Sequence, residues 1–118
     1  MSDPVVSAEQ TGWLLRDGVV LASLEVARTR AARRRGLIGR TSIDGALLIP
    51  KCRQIHTFGM RLKIDVAFCD PAGTVLRIVS VGPGRVTRPC FAARQVIEAG
   101  AGSFARWGVA VGDRLEFQ

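Results

Sequence analysis

The chain contains no tyrosine, only two lysines among its 17 basic residues, and a single histidine. Each scarcity removes a class of function. Proteins that hold single-stranded nucleic acid interleave aromatic side chains with a basic groove so that bases can stack, yet no phenylalanine or tryptophan lies between Trp13 and Phe58. The three cysteines, Cys52, Cys69 and Cys90, are an odd number without a close pair. That is no disulfide framework, and it points to free, mostly packed thiols in a reducing compartment. One histidine with three scattered cysteines also lacks the close paired spacing of compact zinc sites, so neither a metal nor an organic cofactor is expected. The longest apolar runs, such as Val19 to Ala22 and Ala46 to Ile49, fall far short of the roughly 18 residues that cross a bilayer. The opening MSDPVVSAEQTGW places Asp3, Pro4 and Glu9 where a secretory leader needs a basic start and a continuous apolar stretch. A cytoplasmic domain without a membrane anchor is the expectation, monomeric by default.

What is present is a chain of 118 residues, long enough for one self-supporting core. Its net charge of +7 comes from arginine, and Arg28, Arg30, Arg33, Arg34, Arg35 and Arg40 crowd into one short stretch. Guanidinium forks match phosphate oxygens, so this cluster could associate with nucleic acid by counterion release. The plainer reading is a solvated helix face.

Residues 1 to 11 lack apolar periodicity and read as a flexible tail, leaving 12 to 118 as a single β-rich domain. Asp17-Gly18 between two apolar β-prone runs, Trp13 to Leu15 and Val19 to Val26, is a hairpin signal. Thr29 can cap a short helix over Arg30 to Ile38 that Gly36 or Gly39 ends. Ala46 to Ile49 reads as a buried strand. From Lys63 to Asp70 the chain alternates, with Ile64, Val66 and Phe68 facing one way and Asp65, Ala67 and Cys69 the other. The turn Asp70-Pro71-Ala72-Gly73 then leads into a partner strand, Thr74 to Val81. Gly82-Pro83-Gly84 opens a loop reaching about Ala93. Arg94 to Ala99 is a further strand, Ser103 caps one helical turn reaching Trp107, and Arg114 to Phe117 closes the chain as a strand. Short strands separated by turns predict a mainly β fold: a compact antiparallel sandwich or partly closed barrel with one or two short helices.

These residues resemble the domain of unknown function 192 family across roughly Leu24 to Glu116. The resemblance is carried by Ala27, Thr29, Arg33, Gly36, Leu37 and Arg40; by Cys52, the run Ile55 to Met60, Ile64-Asp65 and Phe68; by Asp70, Gly73, Pro83 and Arg85; and by Glu98, Gly102, Gly108, Gly112 and Asp113. Each block is weak alone, and their shared order makes the assignment specific. It implies a compact, mostly β, jelly-roll-like fold and carries no established activity.

The chemistry-bearing side chains concentrate between Cys52 and Asp70. His56 is the group most easily tuned to act near neutrality as a base or ligand, and Cys52, four residues away, could be a thiolate activated by it. Asp65 and Glu98 interrupt apolar strands and need amides or an arginine, such as Arg40, Arg61 or Arg85, to offset burial. The catalytic candidates are therefore Cys52, His56, Asp65 and Glu98, used as in a small hydrolase-like or metal-dependent enzyme. The leading expectation is non-catalytic: a module binding a small ligand or a protein through His56, Met60, Arg85 and Arg88 on two loops. Structural roles fall to Arg33, Gly36, Leu37, Arg40, Asp65, Glu98, Gly102, Gly112 and Asp113.

Overall fold

The computed structural model describes residues 9–118. Asp17 and Gly18 take φ values of 51° and 76°, the backbone that a tight two-residue hairpin turn demands, and they join β1 (Glu9–Arg16) to β2 (Val19–Ala27). The two strands run antiparallel from Glu9 opposite Ala27 to Arg16 opposite Val19. β1 thus begins inside the stretch read from sequence as a tail, and residues 1–8 lie outside the described part.

Thr29 caps α1 (Arg30–Arg35), its side chain accepting the Ala32 N–H at 2.9 Å. Arg33, Arg34 and Arg35 fill the last turn, where the negative end of the helix dipole favours cations. Ala32 is the residue that α1 buries. Gly36 then stops the helix in a positive-φ conformation. This excursion returns the chain as β3 (Ala46–Pro50), parallel to β2 with Leu24 opposite Ala46. Parallel neighbours need such a crossover, and this pair departs from the otherwise antiparallel pattern expected from sequence.

β4 (Ile64–Cys69) and β5 (Val75–Val81) form the second hairpin. Asp70 builds its turn: one carboxylate oxygen accepts the Ala72 and Thr74 N–H groups at 3.0 and 2.9 Å. β6 (Gln95–Gly100) inserts between β3 and β4, antiparallel to both. In α2 (Ser103–Arg106) the cap position belongs to Gly102, with no side-chain cap bond. Ser103, expected to cap, lies inside the turn, and its hydroxyl accepts from Arg106 at 3.0 Å. β7 (Glu116–Phe117) pairs with β1.

The result is mainly β, as expected: the described residues form one seven-stranded sheet ordered β5-β4-β6-β3-β2-β1-β7, not closed into a ring, with two short helices. A bridge between Thr74 and Arg114 ties its two ends at one corner. Leu14 of β1, Val75 of β5 and Leu115 share one apolar cluster, so the sheet curls around that core. The opposite face carries a second cluster, where Leu47, Val66, Phe68 and Val96 meet Ala32, Leu37, Ile55 and Met60 from α1 and the loops. Of the expected alternation in β4, Val66 and Phe68 face this outer core while Ala67 and Cys69 face the inner one.

Candidate functional site

Cross-strand register puts Glu98 of β6 on the outer-core face, opposite Leu47 of β3 and Val66 of β4. A carboxyl in that row is surrounded by aliphatic neighbours and is 4% exposed. Burial pushes its pKa up to about 7, while the Leu37 N–H that it accepts and the positive charge of Arg40 pull the other way. Oε1 has no hydrogen-bond partner among the described residues. A buried, unsatisfied acceptor is a costly feature that calls for a reason.

The reason for the neighbouring Gly-Leu pair is geometric. A methyl group on Gly36 would stand 2.8 Å from Glu98 Oε1, and φ there is 51°, so only glycine lets the chain leave α1, pass over the carboxyl and present the Leu37 amide. Leu37 then buries its side chain to 2% exposure. Arg40 continues the turn and forks onto Glu25 at 3.0 and 2.8 Å.

Glu98 lines a cavity of about 370 Å³. Leu37, Ile38, Ile49, Ile55 and Met60 supply its apolar wall; Cys52, Gln54 and His56 lie around it, and Arg33, Arg34 and Arg35 bring α1 to its edge. Of the four catalytic candidates, the structure brings Cys52, His56 and Glu98 to this one cavity. Asp65 is not there. It pairs with Ala99 and Ser80 on the other face of the sheet, and is held by the Ser80 hydroxyl at 2.7 Å and the Gly102 N–H at 2.9 Å. Its partners are therefore a hydroxyl and an amide rather than the arginines considered from sequence.

Burial raises the Cys52 pKa, the backbone amide of Gln54 opposes this, and the charge of Glu98 raises it further. In its thiol form Sγ donates to the Gln54 carbonyl at 3.3 Å. Cys69 is deeper in the sheet, with its pKa pushed up to about 12 by burial and by the nearby Asp70 and Cys90. All three cysteines are free. His56 is exposed, accepts the Phe58 N–H on Nδ1 at 3.2 Å and stacks on the Phe58 ring at 5.1 Å. Among the described residues no group of three or more His, Cys, Asp or Glu is placed to hold a metal ion.

The two loops expected to act together do touch. Thr57, fully buried, joins them: its hydroxyl donates to the Gly82 carbonyl at 2.6 Å and accepts the Arg85 N–H at 2.8 Å. His56 and Val86 form a β-bridge beside it. The four expected binding residues nevertheless divide. His56 and Met60 line the cavity, whereas Arg85 and Arg88 line a separate open groove of about 710 Å³ with Lys63 and Arg77. Arg77 crosses the Phe68 ring at 5.4 Å and donates to the Arg88 carbonyl at 2.9 Å, holding that loop. Asp113 sits at the far end, accepting the Ala110 N–H and pairing with Arg16 at 3.1 Å, next to Gly112, whose N–H donates to Val75. Thr57, Gln54 and the isoleucines of the cavity were not singled out from sequence. Thr57 could have been, since it lies within the run Ile55 to Met60 that carries the family resemblance.

Fold and cavity define a small mainly β domain with a buried acid under a helix-capping glycine. Residues 14–117 match the uncharacterised ACR family, domain of unknown function 192, and the chain belongs to that family. Over 63 residues it is 40% identical to a UPF0127 protein of Pyrococcus abyssi, a match spanning 53% of this chain and 54% of that protein. The chain thus matches about half the length of that curated relative. Among solved structures it is similar to a candidate transcription regulator of Sinorhizobium meliloti, with 25% identity, a TM-score of 0.76 and coverage of 93% of this chain and 94% of the other. A Novosphingobium aromaticivorans protein of unknown function superposes with a TM-score of 0.74 at 20% identity, covering 92% of this chain and 84% of that one.

Proposed function

We propose that this domain binds a small molecule, without transforming it, in the cavity beneath α1. The observation that carries the reading is Glu98: a carboxyl buried in an aliphatic row, with one oxygen that has no partner among the described residues, at the side of a space of about 370 Å³. That volume lies within the range of small-molecule sites, roughly 300 to 1,000 Å³, and apolar walls with few polar groups are their usual composition. A binding role also suits the neighbouring groups. The Cys52 thiol is driven toward its protonated, non-nucleophilic form, and the Nδ1 atom of His56 is engaged in its own turn. Asp65, on the opposite face of the sheet, cannot join Glu98 in paired-acid chemistry.

The test is a panel of small polar and apolar fragments added to isotope-labelled protein, with the Leu37 amide and the Met60 methyl followed by NMR. Binding in the cavity moves both signals, and Glu98→Gln changes which fragments do so. A panel that leaves both unmoved, or moves only residues of the Lys63–Arg85–Arg88 groove, contradicts the proposal.

A further inference from the structure

Resting on the cavity reading, we infer that the ligand is a zwitterion of amino-acid size, whose ammonium group meets Glu98 and whose carboxylate meets the arginines of α1. Three features converge on this chemistry. Glu98 brings a buried acceptor whose Oε1 has no hydrogen-bond partner among the described residues. Arg33, Arg34 and Arg35 bring positive charge to the same cavity. Leu37, Ile49 and Met60 bring an aliphatic surface between them.

A simple amine would satisfy Glu98 but would enter beside the arginine-rich end of α1, where Arg33 already donates to the Arg28 carbonyl at 3.4 Å, with nothing to offer that positive charge. A simple carboxylate would suit the arginines and then place its charge near that of Glu98. A molecule bearing both groups answers both ends of the cavity, and a branched apolar side chain covers the wall. Arg40, the cation whose charge Glu98 feels, directs its fork at Glu25 instead. The volume of about 370 Å³ lies near the lower end for ligand sites, which suits a molecule of this size better than a nucleotide.

The geometry has a proton signature. With the Glu98 pKa at about 7, the carboxyl is roughly half protonated near neutral pH, and pairing with an ammonium group ionises it. Binding then releases about half a proton. Isothermal titration calorimetry near neutrality, in two buffers of different ionisation heat, reads this directly. The probes are L-leucine, 3-methylbutylamine and 4-methylpentanoate, with the Met60 methyl signal reporting location. L-leucine is expected to bind at least about tenfold more tightly than either half-molecule, with proton release. Glu98→Gln abolishes the release and the preference for L-leucine over 4-methylpentanoate, and Arg34→Glu weakens L-leucine and 4-methylpentanoate but not the amine. If the half-molecules match L-leucine, or binding releases no proton, while Met60 still responds, the zwitterion inference falls and the cavity reading stands. If none of the three probes moves Met60 but the fragment panel does, the ligand class is wrong. If neither does, both readings fall.

Discussion

Glu98 occupies a position that its cross-strand neighbours, Leu47 and Val66, mark as apolar, and the consequence is measurable as a pH dependence. Its pKa of about 7 in the fold stands above the ordinary 4.5. Below about pH 4.5 the carboxyl is protonated whether the chain is folded or not. Between that value and about 7 only the unfolded chain gives up the proton, so unfolding is coupled to proton release and stability falls as pH rises, by ~1.4 kcal/mol per pH unit. Summed over the window this is of order 3 kcal/mol. Glu98→Gln, which cannot ionise, removes that slope, and denaturant titrations of both proteins on either side of the window check it. Gly36→Ala is expected to cost about 1–3 kcal/mol, because the new methyl meets Glu98 Oε1 in a backbone region that side chains avoid. A double-mutant cycle with Glu98→Ala separates the two causes: the part due to the carboxyl disappears and the backbone part remains. Glu98 was legible from sequence as a misplaced acid. Its meeting with Gly36 was not, since 62 positions of chain separate them and only the crossover through α1 brings them together.

Among the elements, the turns were the most legible. Asp17-Gly18 and Asp70 to Gly73 carry their own conformational requirements, and both hairpins form where those residues stand. Thr29 likewise caps α1, and Thr29→Ala should lower stability by about 1 kcal/mol in chemical denaturation. The parallel β2–β3 pairing was hidden, because nothing local distinguishes a strand that returns parallel from one that returns antiparallel. The loop pair on the outer face depends on Thr57, which satisfies the Gly82 carbonyl and the Arg85 amide. Thr57→Val keeps the shape and strands both groups, at a cost of about 2 kcal/mol, whereas Thr57→Ser retains most of the stability. Hydrogen exchange at residues 82–88 provides the local readout: faster in the valine variant, near the parent rate in the serine variant. Equal rates in both would show that the hydroxyl does not hold the loops together.

Over the whole molecule, the sheet separates two cores and thereby two carboxyls. Asp65 and Glu98 interrupt neighbouring strands, and the register that sets them on opposite faces, with Val66 rather than Asp65 opposite Glu98, is a property of the assembled sheet that neither strand reveals alone. The same assembly disperses the arginine cluster. Arg40 is committed to Glu25, while Arg33, Arg34 and Arg35 gather at the cavity. A duplex oligonucleotide should therefore show no retention in a gel shift at about 150 mM salt, where non-specific phosphate contacts are weak. Retention there, lost steeply as salt rises, would return the arginines to a nucleic-acid role.

The most direct measurement is the titration of the Glu98 side-chain carboxyl by carbon-detected NMR. A midpoint near 7, with the Leu37 amide shifting in step, is the result expected of a desolvated acid at the edge of an apolar cavity. A midpoint near 4.5 would mean that the carboxyl is hydrated or paired, and would contradict both the cavity and the ligand built upon it.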